Sequence, residues 1–278
     1  MAAAVTPIAL RFAYDGTRFP SYARDPGQAG SVEEYIEQIL GLEGLVAGSW
    51  RTGSRTDAGV SAIANVIRVD LSRPTLNGLL PALQSRAPPG LWFTAYAIVD
   101  AGWNPRHAAW REYQYFASGP AATGTGARKA LLRAQKAADI FVGVHNMSAF
   151  ARVEEGRNPT RKVFSFAVTA AGDEWCYTIR GQSFLWHQVR RMVGAIQALC
   201  DGTITAEEIT TALATGTHNP RFRLAPAGGL LLADVHYEGL EWITDAATVN
   251  RRLLAAHQEA RLRIALTGTL MDRRAKAS

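Results

Sequence analysis

The chain is poor in cysteine: Cys176 and Cys200 are its only two in 278 residues. They are too few and too far apart for a Cys-x-x-Cys zinc site or a disulfide framework, so both read as buried thiols of a reducing compartment. No uninterrupted apolar run is long enough to span a bilayer, which argues against a membrane partner. The opening MAAAVTPIAL carries no basic residue before its short apolar run and breaks at Pro7. It therefore lacks the layout of a secretory leader, and the expected location is cytoplasmic. His-Glu-x-x-His and Gly-x-Ser-x-Gly are missing, which removes the commonest zinc-hydrolase and α/β-hydrolase readings. GTGARK, at 124–129, lacks the Lys-Ser/Thr of a phosphate loop, and the six histidines are scattered without ligand spacing. No repeat or low-complexity linker is visible. Acidic residues are the minority charge, 24 against 30 basic, for a net charge of +6, and this balance favours an anionic partner such as nucleic acid.

What is present suffices for a sizeable core, at 47% hydrophobic and 19% charged residues. Ile8, Leu10, Phe12 and Tyr14 alternate with Ala9, Arg11 and Ala13, the period of a half-buried strand that ends at the Asp15-Gly16 turn. Ser31 with Glu34 forms a capping box for a helix carrying Val32, Tyr35, Ile36 and Ile39 on one side, with Gly41 just beyond its end. ANVIRVDL and LWFTAYAIVD read as strands, and LNGLLPALQS between them as a helix. In AWREYQYFAS, Arg111, Tyr113 and Tyr115 share one face of a further strand. ARKALLRAQKAADIF predicts a helix and HNMSAF a loop, while TRKVFSFAVTAA and EWCYTIRGQS predict a hairpin turning at Ala171-Gly172-Asp173. Apolar residues recur at helical spacing from Phe184 through Leu199, Thr205 with Glu208 caps another helix, and LLLADVHYE closes with a strand.

These elements predict an α+β fold with a largely antiparallel sheet, flanking helices and a central basic cleft between two similar halves. The halves run over 1–104 and 105–240, and a basic helical tail occupies 241–278.

Arg51, Arg55 and Asp57 lie within seven residues of one another in the Gly-punctuated stretch SWRTGSRTDAGVSA. A carboxylate held beside guanidinium groups stays ionised on partial burial and can serve as a nucleophile. An ordinary surface ion pair in a turn fits the same spacing.

The wording of this loop, GSRTDAGVSA at 53–62, resembles the catalytic loop of the tRNA pseudouridine synthase A family, Gly-x-x-Arg-Thr-Asp-x-Gly-Val. YDGT at 14–17, RHAAWREYQY at 106–115, FVGVHNMSAF at 141–150, SFLWHQVRRMVG at 183–194 and LAPAGGLLLADVHY at 224–237 resemble its remaining blocks in the same order. The resemblance implies the pseudouridine synthase fold and an RNA isomerase. Such an enzyme breaks the C1'-N1 bond of a tRNA uridine, rotates the uracil and rejoins it through C5, with no metal or organic cofactor. It implies Asp57 as nucleophile, Arg190 as the arginine paired with it, and Arg55 as the cation entering the stack when the base flips. It further implies Tyr113 as the active-site tyrosine that stacks on the extruded base, and Phe184 with the residues around Leu224 as an apolar floor. Tyr115 reads as packing. A homodimer is implied, with tRNA held across both subunits and modified in the anticodon stem-loop at about positions 38 to 40.

Two departures bear on docking. FPSYARDPGQ stands where bacterial members carry Gly-Trp-Gln, and Ser61 stands where they place histidine. Competing readings are a binding-only RNA protein using the same cleft, which would not need the Arg55-Thr56-Asp57 set, and a metal-dependent phosphoesterase using Asp57 and Asp15, which lacks a clustered ligand set.

Overall fold

The computed structural model describes residues 5–119, 125–171 and 174–245, and in the C-terminal stretch residues 247, 254 and 257–259. The expected tail over 241–278 and the Gly172-Asp173 turn therefore lie largely outside the described residues. The strands are β1 (Val5–Tyr14), β2 (Arg51–Thr52), β3 (Ser61–Ser72), β4 (Leu91–Ile98), β5 (Trp110–Ser118), β6 (Gly143–Asn146), β7 (Thr160–Ala171), β8 (Glu174–Gly181), β9 (Leu230–His236) and β10 (Ile243–Thr244). The helices are α1 (Val32–Gly41), α2 (Leu79–Arg86), α3 (Thr125–Asp139), α4 (Gln188–Cys200) and α5 (Ala206–Thr215).

All the strands join one sheet in the order β10-β4-β1-β3-β9-β5-β8-β7-β6, with β2 paired to β3. Every pairing is antiparallel except β3 with β9, which run parallel through Ser61 opposite Leu231 and Ala62 opposite Leu232. This junction positions the site. Parallel strands start at the same edge, so the loops leading into β3 and β9 emerge side by side. A Cβ on Gly59 would sit 3.5 Å from that of Ala227.

The local rules act as the sequence predicts in most places. Both capping boxes form: the Ser31 hydroxyl accepts from Glu34 N–H at the head of α1, and the Thr205 hydroxyl accepts from Glu208 N–H at the head of α5. Arg111, Tyr113 and Tyr115 are the buried face of β5, where Tyr115 packs edge-on to Tyr177. Several expectations are corrected. Gly41 is the last residue of α1, not the residue beyond it. Within HNMSAF, His145 and Asn146 belong to β6, which pairs with β7, and Ser148–Phe150 form a 3-10 turn. Cys176 and Cys200 are half-buried.

Phe184 does not open α4. The helix starts at Gln188, after a turn in which the buried Gln188 side chain accepts from Leu185 N–H at 2.9 Å and the Gln188 backbone N–H donates to Leu185 O at 3.1 Å. That turn keeps Leu185 buried on the apolar side, so the helical spacing of apolar residues extends backwards past the true start.

Candidate active site

The loop ahead of β3 is held from several sides. Gly53 N–H donates to Val66 O at 2.9 Å, and the buried Asn65 amide donates to Ser54 O at 3.0 Å. Arg111 is a buried cation whose guanidinium donates to Ser54 Oγ at 3.1 Å and to the carbonyls of Gln182 at 2.9 Å, Gly53 at 3.3 Å and Arg106 at 3.1 Å. One planar donor fork thus ties the loop to β5 and to the segment before α4. At the loop's tip Val60 N–H donates to Asp57 O at 3.1 Å, closing a turn in which Gly59 takes φ +82°.

The YDGT segment braces the other side. Tyr14 and Thr56 share a side-chain hydrogen bond of 2.7 Å. A Cβ on Gly16 would lie 2.1 Å from Val60 O, so this close approach needs glycine. Ser61, which stands where bacterial members of the resembled family place histidine, accepts from Gly16 N–H at 3.0 Å and so fastens the turn to the loop.

Asp57 therefore has a fixed backbone, and its carboxylate meets the N-terminal end of α4. Arg190 Nη1 donates to Oδ2 at 2.5 Å, and Trp186 Nε1 donates to Oδ1 at 2.8 Å. His187 Nε2 stands 3.5 Å from Oδ2. Arg190 is itself anchored, donating through Nε to Ala225 O at 2.7 Å. The pair is largely shielded, with side-chain exposures of 12% for Arg190 and 20% for Asp57. In that setting a planar guanidinium is the suitable counter-charge.

His187 takes φ 66° and is the one non-glycine residue with positive φ among those described. For a residue with a Cβ this costs about 1–2 kcal/mol. Its imidazole is held below its ordinary pKa, first by burial and then by Arg190, Arg191 and Arg152, against the opposing pull of Asp57.

The structure brings some of the sequence-predicted residues together and leaves others apart. Tyr113 is buried on β5, edge-on to Phe184 with ring centroids 5.3 Å apart at 90°. Its phenol is pushed up to about 12, mainly by burial, with Asp57 adding to the rise and Arg111 opposing it. Asp57, Arg190, Tyr113 and Phe184 thus form one constellation. Arg55 is exposed and ion-pairs with no described carboxylate. Arg51 turns to the carbonyls of Gly48 and Trp50. The local pairing of Asp57 with Arg51 or Arg55 that the spacing allows is thereby corrected: Arg51 is taken up by backbone carbonyls, and α4 supplies the cation through Arg190. Leu224 is partly exposed beside Ala225, and Arg191 turns to His218.

Trp186, His187 and Arg111 were not singled out from sequence. The first two lie inside the SFLWHQVRRMVG block, and an indole next to a histidine ahead of Arg190 was the available signal. Arg111 was legible only as one member of an alternating strand. The carboxylates of the phosphoesterase alternative do not meet: Asp15 accepts from the Thr17 N–H and hydroxyl and pairs with Arg18. Among the described residues no group of three or more His, Cys, Asp or Glu is placed to hold a metal, and no helix is long and apolar enough to cross a membrane.

A family model described as tRNA pseudouridine synthase matches residues 137–238. The tRNA pseudouridine synthase A of Thermococcus onnurineus is 32% identical, over 95% of this chain and 98% of that protein. Those of Thermococcus gammatolerans and Methanothrix thermoacetophila are also 32% identical, over 94% and 95% of this chain and 97% and 96% of theirs. Among solved structures, one chain of a Cbf5-Nop10-Gar1 complex overlays 68% of this chain and 44% of its own length at 16% identity, with a TM-score of 0.34, too loose a fit to argue from.

Proposed function

From the premise that the chain belongs to the tRNA pseudouridine synthase A family, isomerases acting on RNA, we propose that it converts uridine to pseudouridine in the anticodon stem-loop of tRNA, at about positions 38 to 40, with Asp57 as nucleophile. The observation that supports this reading is the Asp57 carboxylate itself. It is oriented through both oxygens, paired with an anchored arginine, and set beside a buried tyrosine and phenylalanine. A carboxylate so held suits attack on, or stabilisation of, the electron-poor C1' as its bond to N1 breaks. The freed uracil turns, C5 bonds to C1', C5 gives up its proton and N1 gains one, so nothing is consumed.

Each neighbour has a part in this reading. Arg190 supplies the counter-charge to Asp57 in a shielded place. Tyr113 stacks on the flipped base and, with its pKa near 12, stays a phenol able to donate. Phe184 backs the tyrosine and floors the uracil site. Arg55, exposed and without an ion-pair partner among the described residues, fills the gap left in the base stack. The net basic charge supplies phosphate contacts. The proposal includes a homodimer acting in the cytoplasm.

The test is to map pseudouridine in bulk tRNA from cells lacking the gene, before and after incubation with the purified protein. New pseudouridine in the anticodon arm near positions 38 to 40 is the expected result. New pseudouridine only elsewhere would overturn the position, and none on any tRNA would overturn the activity.

A further inference from the structure

The Asp57 carboxylate is gripped at two points, and the two grips are built differently. Arg190 acts on Oδ2 from within the fold, with its Nε fixed on Ala225 O. One hydrogen bond to one oxygen limits rotation about Cβ–Cγ but leaves the carboxylate some freedom to rock. The second point, Trp186 Nε1–H on Oδ1, removes that freedom and sets the plane of the group. Each carboxylate oxygen has two lone-pair directions, so a single donor on Oδ1 leaves the other open to a reacting carbon.

Trp186 is equipped to hold this pose although it is 44% exposed. Arg152 lies over its ring at 4.3 Å, and Arg152 N–H donates to Trp186 O at 2.9 Å. His187 packs against the indole, with ring centroids 4.9 Å apart. The left-handed turn at His187 separates the direction of Trp186 from that of α4, so the indole reaches Asp57 from a different side than Arg190 does. That local strain is a cost the fold maintains at this point.

We infer that Trp186 is a positioning residue for the proposed reaction, its indole N–H fixing the plane of the Asp57 carboxylate so that the open lone pair of Oδ1 faces the sugar carbon. The inference rests on the reading of Asp57 as nucleophile. It assigns the indole a role in the rate, because misorientation of a reacting group by a fraction of its length lowers turnover while phosphate contacts continue to hold the RNA.

Two replacements isolate the N–H. Trp186→Phe keeps an aromatic ring beneath Arg152. Replacement of Trp186 by 3-benzothienylalanine through amber suppression keeps the bicyclic shape and exchanges only the N–H for sulfur, so a packing loss in the first variant does not blur the second. Single-turnover rates at saturating tRNA, half-saturating tRNA concentrations and thermal midpoints are measured for both and for the parent. Rates lower by about tenfold to a hundredfold are expected in both, with half-saturation within about twofold and, for the benzothienyl variant, an unchanged midpoint. A benzothienyl variant as fast as the parent would overturn the inference, and so would a change confined to half-saturation, which would make Trp186 an RNA contact. A parent inactive on every tRNA would instead overturn the functional reading beneath it.

Discussion

A Cβ placed on Gly194 would lie 1.9 Å from the carbonyl oxygen of Arg223. Gly194 is one helical turn beyond Arg190, and its bare backbone lets the segment leading to β9 lie against α4. There Ala225 O receives Arg190 Nε and Ala225 N–H donates to Arg190 O. The orientation of the arginine beside Asp57 thus depends on a residue that touches neither.

Gly194→Ala is therefore expected to push residues 223–225 off the helix and release Arg190. Overpacking against backbone costs about 1–3 kcal/mol, or roughly 2–10 °C in Tm for a chain of this size. Turnover should fall about tenfold or more even at temperatures where the variant is fully folded. Calorimetry beside single-turnover assays checks both; full activity in a destabilised variant would separate packing from function.

Asp57→Asn should bring pseudouridine formation to background while tRNA affinity stays within about threefold, since phosphate contacts spread over the surface dominate binding. Release of tritium from C5-labelled uridine in tRNA, measured beside filter binding, reads the two separately.

Arg190 makes two directed bonds, one to Asp57 Oδ2 and one to Ala225 O. Lysine retains the charge but lacks the planar fork that serves both. Arg190→Lys should lower the single-turnover rate by about tenfold to a hundredfold, and Arg190→Ala further, because it leaves a shielded carboxylate unpaired. Equal rates for the two variants would show that the charge is not what matters.

The His187 imidazole is depressed in the folded protein, so folding favours its neutral form. The unfolded chain begins to take up this proton near the ordinary value of about 6.5. The stability His187 contributes is accordingly present above that pH and declines as pH falls through it toward the folded value. Urea titrations from about pH 7.5 to 5 should show the decline. His187→Asn, whose side chain tolerates the left-handed backbone, should reduce the slope. An unchanged slope would place the acid sensitivity elsewhere.

Much of the fold was legible along the chain, because the forces that set it act over a few residues. Alternation at Arg111 to Tyr115 marks a strand with one buried face, whereas β1, lying between β4 and β3, buries Ala9 and Ala13 as well as Ile8, Leu10, Phe12 and Tyr14 and so is not the half-buried strand that its alternation predicts. Ser31 with Glu34 and Thr205 with Glu208 mark helix starts, since side chain and backbone donor are three residues apart wherever the chain goes next. The wording around Asp57 marked the loop. The family resemblance marked Arg190 as its partner, and tertiary structure decided the rest of what surrounds that aspartate. The guanidiniums nearest in sequence, Arg51 and Arg55, turn away, while Arg190 arrives from 133 residues on. It arrives there because β3 and β9 pair in parallel, and no local periodicity records a parallel neighbour. The indole of Trp186 on Oδ1 was illegible for the same reason: the bond joins segments 129 residues apart, and it exists only once the folded chain brings them together.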